Sequence, residues 1–329
     1  MTLYMAIALS FLIVLVTAAV VLVTANFAVK SSVHLAKHFR LSDELIGMTI
    51  LSIGTSLPEI ITHVVGSVEI LGRPAMMNSV SALVVGTNIG SDIFQQNFIL
   101  ALIAIVGIIV VEKKHLMKDV GGLIAAAVLV LIFSANGIIS RLEGGILLAV
   151  YIGYLYVLQK YGMDETRTKK RRVKDNIFKH IMIVLSSFIL MAFAADKMLH
   201  HSVVLVENLP ISASFFGVIL LGIAAAFPEL MTALVAVLKH KEKISAGVLI
   251  GSNITNPMFA LGLGALISSY TVPGVVVWFD LPVKIATALL ILWFLWKGKM
   301  AKRNAAILML LYLAYLFFRN MLFPADVVM

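Results

Sequence analysis

The stretch TILSIGTSLPEIIT, residues 49–62, places Gly-Thr-Ser-Leu-Pro-Glu at the centre of an apolar run that is long enough to cross a membrane. Proline interrupts helices and a glutamate is costly in hydrocarbon, so this combination at mid-membrane depth needs a physical reason. Pro58 has no N–H, and the carbonyl of Gly54, four residues earlier, therefore loses its helical partner. Because an unpaired carbonyl at membrane depth needs a polar partner, the motif predicts a broken helix that presents oxygen atoms to a cation.

The whole chain is strongly apolar. Its 329 residues are 61% hydrophobic and 13% charged, with a mean hydropathy of +1.03, whereas soluble domains carry about twice that charged fraction. There are no cysteines, which excludes disulfides and thiolate metal sites. The apolar stretch 1–29 is too long for the apolar core of a signal peptide and predicts the first membrane span. In total the apolar runs predict ten spans: 3–29, 44–71, 79–111, 119–139, 142–160, 177–199, 212–238, 245–269, 277–296 and 304–323.

The net charge of +9 follows the loops rather than a surface for nucleic acid. Of the 26 Lys and Arg residues, 21 fall after the odd-numbered spans and five on the other side: Arg73, Arg141, Lys197, Lys284 and Arg319. This bias places both termini outside and the loop containing TRTKKRRVKD in the cytoplasm. The sequence thus predicts a multi-pass protein of the cell (inner) membrane, surrounded by lipid, that binds no nucleic acid. The sequence does not determine the oligomeric state and is compatible with a monomer.

The opening motif occurs twice. SIGTSLPEIIT at 52–62 matches GIAAAFPELMT at 222–232, and VVGTNIGSDIFQQ at 84–96 matches AGVLIGSNITNPM at 246–258. Each half thus has a Pro-Glu break in its second span and a Gly-Ser-Asp/Asn turn in its third. Five spans in each half is an odd number, so the halves are inverted relative to each other. The predicted fold is an all-α integral membrane protein with ten transmembrane helices in two inverted five-helix repeats, with helices 2 and 7 broken. The repeats are residues 1–161 and 177–329, joined by a basic cytoplasmic linker, 162–176.

Oxygen-bearing side chains cluster around these breaks. Glu59 and Glu229 each follow a proline that frees a carbonyl: Pro58 frees that of Gly54, and Pro228 frees that of Ala224. Residues three or four apart share a helix face, which groups Thr55 and Ser56 with Glu59, Ser91 with Gln95, and Ser252 with Asn256. Carboxylate, hydroxyl, amide and carbonyl oxygens suit a hard cation. We expect no lysine or arginine inside the spans to neutralise the two glutamates, which favours an ion site over a structural ion pair.

GTSLPE followed by a Gly-Ser-Asn-type turn, duplicated in inverted halves, resembles the cation/calcium exchanger superfamily, and most of all its small prokaryotic sodium/calcium exchangers. The resemblance implies that Glu59 and Glu229 bind Ca²⁺, and that spans 1 and 6 slide across the remainder. It implies further oxygen ligands from Thr55, Ser56, Ser91 and Ser252, with Gln95 and Asn256 where the family has Asn or Asp. Ala225 and Ala226 replace the usual Thr-Ser, so that only backbone carbonyls, including that of Ala225, remain there.

The expected function is secondary active antiport of Ca²⁺ for Na⁺ by alternating access, without a cofactor. The missing hydroxyls at Ala225 and Ala226 leave two alternatives open, in which H⁺ is the coupling ion or another divalent ion such as Mg²⁺ or Mn²⁺ is the substrate. A passive cation channel is a more distant alternative. An enzyme is not expected, because no nucleophile triad, aspartyl pair or zinc motif accompanies the glutamates.

Other polar residues have more than one interpretation. Asp92 lies about 100° around a helix from Ser91, so it is a possible ion or proton site or a hydrogen-bond partner of a neighbouring residue. His63 shares the face of Glu59 and is a second possible proton site, although a helix-packing histidine is favoured. Asp196, Glu207 and Asp280 lie near span ends on the outer side and are expected at a solvated interface.

Overall fold

The computed structural model describes residues 3–38, 46–107, 113–162, 177–209, 212–238, 240, 242–296 and 300–323. Within these ranges the chain forms ten helices, several of them built from consecutive segments: α1, Leu3–His38; α2, Ile46–Leu51, Ser52–Thr55 and Leu57–Gly72; α3, Met77–Phe94, Gln95–Ile99 and Leu100–Val106, after a 3-10 turn at Pro74–Met76; α4, Lys113–Ser134; α5, Arg141–Gly162; α6, Ile177–Asn208; α7, Ala213–Phe216, Gly217–Leu221, Gly222–Ala225 and Phe227–Leu238; α8, Glu242–Thr255, Asn256–Ala260 and Leu261–Ser268; α9, Val276–Asp280 and Leu281–Trp296; α10, Lys302–Leu322. Each helix overlaps one predicted span. The predicted linker lies outside the described residues from position 163 onward.

The helices are apolar enough for a membrane protein. By length and composition, seven described segments can cross a bilayer: Pro74–Val106, Arg141–Leu158, Ile177–Leu205, Ala213–Leu238, Ile244–Ser268, Val276–Trp296 and Lys302–Leu322. Ile7–Val21 in α1 and Asp119–Ser134 in α4 are shorter apolar helices. The helical membrane class is therefore as predicted, whereas the count of ten spans stays a prediction.

Two helices form the centre of the bundle. In α3, 78% of the most apolar window is buried inside the protein, and in α8 the share is 89%. In α6 it is only 19%. The partner of α6 is α1, which packs along it and, like α6, exposes large apolar side chains, among them Leu12, Leu15, Ile189 and Phe193. The pair α1 and α6 therefore lies at the apolar periphery, while α3 and α8 form the core.

Glycines bring the central helices against the broken ones. A Cβ on Gly90 of α3 would overlap the backbone of Val218 in α7, and a Cβ on Gly222 of α7 would overlap the backbone of Ser91. In α8, a Cβ on Gly251 would overlap the Ser52 side chain of α2 and press on the Met48 carbonyl. Small residues permit such close helix crossings in membranes. As a result, α3 crosses the first half of α7, and α8 crosses the first half of α2.

The predicted Gly-Ser-Asp/Asn turns are wrong. The α-helix Met77–Phe94 runs through residues 90–92, and the α-helix Glu242–Thr255 runs through 251–253. The glycine of each motif serves the close helix crossing and does not form a turn. The irregularity comes directly after the motif, where π-helical segments begin at Gln95 and at Asn256. Such π segments are frequent at functional sites.

One small strand pair was not predicted. Strand β1, Ile138–Ile139, pairs antiparallel with β2, Tyr270–Thr271, in the register Ile138↔Thr271 and Ile139↔Tyr270. Two-residue strands are too short to give a periodic signal in a sequence. The pair holds Tyr270 in the interior, where its hydroxyl donates a hydrogen bond to the carbonyl of His63 (2.9 Å) and lies 2.7 Å from the Ser67 hydroxyl.

We predict that Gly90→Ala lowers the free energy of unfolding by about 1–3 kcal/mol, because the new methyl group overlaps the Val218 backbone and neither helix yields easily. Gly153→Ala in α5 is the matched control, since a Cβ there meets no atom within 4 Å. Thermal unfolding in detergent measures both effects. Equal unfolding midpoints for the two variants would contradict the close crossing.

Candidate cation-binding site

Both predicted helix breaks are present. Ser56 separates Ser52–Thr55 from Leu57–Gly72 in α2, and Ala226 separates Gly222–Ala225 from Phe227–Leu238 in α7. The Ser56 N–H donates to the Ser52 carbonyl (3.0 Å), and the Ala226 N–H donates to the Gly222 carbonyl (3.2 Å).

Each proline is the second residue of the helix that follows its break. In this first turn a missing N–H disrupts no bond within that helix, but Pro58 cannot donate to Gly54 four residues back, and Pro228 cannot donate to Ala224. One glutamate follows each proline, still in the first turn, where the helix dipole favours negative charge. Each break therefore removes the usual helix donor from one carbonyl, which the N–H of Ser56 or Ala226 still approaches, and places a carboxylate directly after it.

The two glutamates are buried and act on each other. Glu59 is 1% exposed and Glu229 is 0% exposed, and their carboxylates are close enough to interact electrostatically. Glu59 Oε1 accepts a hydrogen bond of 2.7 Å from the Ser91 hydroxyl. Glu59 Oε2 and both oxygens of Glu229 find no hydrogen-bond partner among the described residues. Buried carboxylates without partners are costly, and a bound cation removes that cost.

The Glu59 side of the site is held by amides from the two central helices. Gln95 Nε2 donates to the Ser91 hydroxyl (2.9 Å), and Asn253 Nδ2 donates to Gln95 Oε1 (3.3 Å). The predicted pairing of Ser91 and Gln95 on one helix face is therefore present. Asn253 lies in the second Gly-Ser-Asn motif but was not singled out from the sequence. Its amide orients Gln95, and through Gln95 it orients Ser91 toward the carboxylate.

The Glu229 side brings hydroxyls from α2 and α8 together. The hydroxyl oxygens of Thr55 and Ser252 are 3.4 Å apart, and both residues lie beside Glu229. The buried Ser56 hydroxyl has no partner within the described parts of the chain. Ala225 contributes no side-chain oxygen, so its backbone carbonyl is its one oxygen atom. The two helix breaks therefore differ in their oxygen atoms: the α2 break supplies hydroxyl oxygens, and the α7 break supplies none.

The chemistry of the set is that of a hard-cation site. Across the residues that the structure describes, no group of three or more His, Cys, Asp or Glu is placed to hold a metal ion by itself. The candidate site instead offers two carboxylates together with neutral hydroxyl, amide and carbonyl oxygens. Calcium takes six to eight such oxygen ligands and tolerates irregular geometry, whereas zinc and copper prefer nitrogen or sulfur.

His63 is engaged in helix packing. Asn88 Nδ2 lies 3.1 Å from His63 Nε2, and the Tyr270 hydroxyl lies 3.2 Å from His63 Nδ1. The amide donates, which makes Nε2 the acceptor and leaves the proton on Nδ1. The same Asn88 amide donates to the Asn256 carbonyl (2.9 Å). Both ring nitrogens thus have protein partners, as expected of a packing histidine, and a proton role of His63 stays a prediction.

The expectation that no lysine or arginine lies inside the spans is wrong. Lys284, within α9, is 0% exposed, and its ammonium forms an ion pair with Asp92 of α3, which is also 0% exposed. The other Asp92 oxygen accepts a 2.8 Å hydrogen bond from Asn256 Nδ2. Lysine tolerates burial when a carboxylate offsets its charge, and α3 supplies one here. Asp92 therefore has protein partners at both oxygens, as in the hydrogen-bonding interpretation of this residue.

A second buried pair corrects the expectation for Asp280. Asp280 is 0% exposed and does not lie at a solvated interface. Its carboxylate accepts hydrogen bonds from Arg319 Nε and from the Tyr315 hydroxyl, both at 3.0 Å. Arg319 also donates to the Ser214 hydroxyl (2.7 Å), at the start of α7. This cluster fastens α9 and α10 to the first turn of α7. The sequence contained a signal for both pairs, because lone charges inside apolar runs require partners.

A polar group near the first break was also missed. The Ser52 hydroxyl lies 2.8 Å from the Thr255 hydroxyl, and the Tyr151 hydroxyl lies 2.9 Å from the same Thr255 atom. These contacts join α2, α5 and α8 directly beside Thr55 and Ser252. Hydroxyl residues are common in apolar helices and usually bond their own backbone, so no sequence signal distinguishes these three.

Comparison with known proteins gives concordant matches. The family described as sodium/calcium exchanger protein matches residues 9–160 and 179–321. The sodium/calcium exchanger MaX1 of Methanosarcina acetivorans is 27% identical over 352 residues, covering 94% of this chain and 98% of MaX1. The inner membrane protein YrbG of Escherichia coli is 29% identical over 248 residues, covering 71% of this chain and 72% of YrbG. The solved structure of the sodium-calcium exchanger NCX_Mj, soaked with 2.5 mM Na⁺ and 10 mM Sr²⁺, is similar with a TM-score of 0.66 at 25% identity, covering 94% of this chain and 98% of that one.

We predict that Glu59→Gln and Glu229→Gln each abolish stabilisation of the purified protein by Ca²⁺. At a free concentration about 100 times its Kd, a ligand stabilises a folded protein by about 2.7 kcal/mol. Without divalent ions, Glu229→Gln should raise the unfolding midpoint, because a neutral amide replaces a buried carboxylate that another carboxylate repels.

The matched control is Glu69→Gln on the same helix, α2. Glu69 is partly exposed and pairs with Arg73 at 3.3 Å, so this variant should keep the full response to Ca²⁺. Thermal unfolding in Ca²⁺ and in a chelator measures all three variants. A normal Ca²⁺ response in both site variants would show that the two carboxylates do not bind the ion.

Proposed function

The chain belongs to the sodium/calcium exchanger protein family, and on that premise we propose that it is a secondary active antiporter that exchanges Ca²⁺ for Na⁺ across a membrane. The observation that carries the proposal is the pair of buried carboxylates at the two helix breaks, three of whose four oxygens have no partner in the described structure. The protein is a transporter and not an enzyme, and the metal ions are its substrates.

We assign the transported cation to Glu59 and Glu229. Neutral oxygens complete its shell: the Thr55, Ser56, Ser91 and Ser252 hydroxyls, the Gln95 and Asn256 side-chain amides, and the Ala225 backbone carbonyl. Support comes from the unpartnered Asn256 Oδ1 and Ser56 Oγ atoms in the described interior. It also comes from the contacts that bring Ser91 to Glu59 and place Thr55 and Ser252 beside Glu229.

The same two charges explain why transport is an exchange. Two ionised carboxylates in a dry site repel each other strongly, because the low dielectric screens them poorly. Moving that uncompensated state between the two sides of a membrane is costly. One Ca²⁺ neutralises the pair, and so do two Na⁺ or two H⁺. Only neutralised states cross readily, so that entry of one cation species accompanies exit of the other.

The moving part is the pair α1 and α6. The two helices pack along each other at the apolar periphery, and their outward faces carry large apolar side chains. A mostly apolar surface of this kind slides in lipid, and the exposed Asp196 and Lys197 of α6 pair with each other at 3.1 Å. We assign the rigid part to the remaining helices. We retain the division into repeats 1–161 and 177–329, joined by the linker 162–176. We place the protein in the cell (inner) membrane, with both termini outside and the linker in the cytoplasm.

The counter-ion is the open choice within this proposal. Ala225 and Ala226 remove two hydroxyls from the α7 break, which weakens a site for Na⁺ more than one for H⁺, since a proton needs no oxygen shell.

Both glutamates belong to one chain, so a monomer contains the complete site.

We predict that reconstituted vesicles loaded with Na⁺ take up radiolabelled Ca²⁺ against a Na⁺-free exterior, because the outward flow of Na⁺ supplies the driving force. A second set of vesicles carries a proton gradient of matched size. Uptake driven by the proton gradient alone would identify H⁺ as the counter-ion. Uptake that needs no counter-ion inside the vesicle would contradict antiport and indicate a channel.

We predict that the double variant Ala225→Thr/Ala226→Ser increases the dependence of Ca²⁺ uptake on internal Na⁺ severalfold. The new hydroxyls restore to the α7 break the oxygens that Thr55 and Ser56 supply to the α2 break. The control is Ala236→Ser, which adds a buried hydroxyl farther along α7, away from the break. An unchanged half-maximal Na⁺ concentration in the double variant would show that these hydroxyls do not bind Na⁺.

A further inference from the structure

A chain of four hydrogen bonds sets the direction of the Gln95 amide beside the proposed cation site. A backbone carbonyl can only accept, so the Asn253 atom that lies 3.0 Å from the Leu249 carbonyl is the amide nitrogen. The same nitrogen faces Gln95 at 3.3 Å, and the Gln95 atom there is therefore its oxygen. Gln95 Nε2 is left for the Ser91 hydroxyl (2.9 Å), which in turn donates to Glu59 (2.7 Å). The α8 backbone thus decides, through Asn253, which end of the Gln95 amide faces the site.

This direction presents a nitrogen where a hard cation needs an oxygen. An amide N–H group is a donor with no acceptor capacity, whereas Ca²⁺ binds oxygen atoms. The Gln95 nitrogen also takes one acceptor position of the Ser91 hydroxyl oxygen. The Gln95 oxygen, which belongs to the proposed shell, is engaged by Asn253. Two oxygen atoms of the proposed shell are therefore occupied by hydrogen bonds of the protein itself.

The other half of the chain has the opposite arrangement. Asn256 has in α8 the place that Gln95 has in α3, four residues after the serine of a Gly-Ser motif. Its nitrogen donates to Asp92 Oδ1 (2.8 Å), and its oxygen has no partner among the described residues. The contacts run crosswise, because the residue after each serine holds the amide of the other helix. Asp92 holds a nitrogen and leaves an oxygen available, whereas Asn253 holds an oxygen and leaves a nitrogen.

A half turn of the Gln95 amide about its last side-chain torsion exchanges the positions of its oxygen and its nitrogen. The oxygen then lies beside Ser91, and the hydroxyl oxygen regains a free acceptor position for the ion. The same turn brings Gln95 Nε2 against the Asn253 nitrogen, so that two donors face each other. Asn253 cannot turn in response, because its oxygen would then face the Leu249 carbonyl. Asn253 therefore opposes the orientation of Gln95 that serves the cation.

We propose that Asn253 is a positioning residue that lowers the affinity of the site, because it competes with the transported cation for the Gln95 oxygen. The inference rests on the proposed function and deepens it, since it names a residue outside the ligand set that determines how tightly Ca²⁺ is held. An ion that crosses a membrane has to be bound firmly enough to enter and weakly enough to leave. A shell that is completed only against a competing hydrogen bond releases its ion more readily.

The test is equilibrium binding of radiolabelled Ca²⁺ to the purified full chain. Asn253→Val keeps a side chain of similar size and removes both polar atoms, so that Gln95 is free to turn. We expect the Kd for Ca²⁺ to fall about three- to tenfold, the equivalent of one net hydrogen bond. Damage to the packing of the site weakens binding, so tighter binding is a result that a purely structural role does not give.

Two further variants isolate the contact with Gln95. Gln95→Met removes the amide through which Asn253 acts, so that adding Asn253→Val in this background should leave the Kd unchanged. The matched control is Asn97→Val in α3. Asn97 is 1% exposed, and its nitrogen donates to the Ile93 carbonyl four residues earlier (2.9 Å) and to the Thr287 hydroxyl (3.2 Å), neither of which is a proposed ligand. This variant should change thermal stability without tightening Ca²⁺ binding.

Asn253→Asp replaces Asn253→Val where the latter does not fold. The aspartate keeps the shape of the asparagine and offers acceptors in place of the donor, which favours Gln95 with its oxygen toward the site. Its charge attracts Ca²⁺ whether or not Gln95 is present, so the expected result is a larger fall in Kd with Gln95 than with Gln95→Met. Equal falls in the two backgrounds would be an effect of charge alone and would overturn the competition.

The remaining outcomes separate this inference from the proposed function. A folded Asn253→Val with unchanged or weaker Ca²⁺ binding overturns the competition, and so does a tightening that persists in Gln95→Met. Both results leave antiport intact, because the wild type still binds and exchanges Ca²⁺. A wild type that neither binds Ca²⁺ nor shows coupled flux removes the proposed function and this inference together.

Discussion

Two like charges buried near each other in a membrane protein set the requirements for everything around them. Glu59 and Glu229 have almost no exposed surface, the Ser91 hydroxyl donates to Glu59, and the Thr55 and Ser252 hydroxyls lie beside Glu229. A few hydrogen bonds offset only part of the hydration that two ionised carboxylates lose on burial. The surrounding hydroxyl, amide and carbonyl groups supply further oxygens, and in the proposed function a mobile cation provides the remaining compensation. A site that needs an ion to be stable is also a site that changes its energy when the ion leaves, which is the basis of coupled transport.

The helix breaks and the glycine crossings serve this requirement together. A continuous helix would use its carbonyls internally, and the prolines at 58 and 228 release one carbonyl in each half. Gly90, Gly222 and Gly251 allow α3 and α8 to approach the broken helices within backbone contact. Side chains of α3 and α8 thereby reach both carboxylates. The same closeness limits substitution at these positions, because backbone atoms cannot move aside as a flexible side chain can.

Charged groups inside the bundle are used in two different ways. Asp280 and Arg319 satisfy each other within a cluster of tyrosine, serine and carbonyl partners that fastens three helices. Asp92 and Lys284 lie next to the ligands and carry one hydrogen bond into them, to Asn256. The first pair bears on rigidity, and the second holds α9 against α3 beside the proposed ligands. The two breaks also differ in hydroxyl content, because the α2 break contains Thr55 and Ser56 whereas the α7 break contains Ala225 and Ala226.

The sequence by itself determined the helical membrane class, the positions of the helices, both breaks and the two glutamates, because each depends on local chemistry: apolar length, the missing proline N–H and the cost of a carboxylate in hydrocarbon. The shared helix face of Ser91 with Gln95 was equally predictable, since it follows from the four-residue spacing, while that of Ser252 with Asn256 stays a prediction. The tertiary structure alone decided which distant groups meet. The partner of Asp92 is 192 residues away, the Asn253 amide reaches Gln95 across 158 residues, and the Tyr270 hydroxyl reaches the His63 carbonyl across 207. The two Gly-Ser motifs predicted turns, but the structure has them inside helices, where their glycines allow close helix crossings. Packing against another helix decides how such a glycine is used, and no local sequence pattern records that packing.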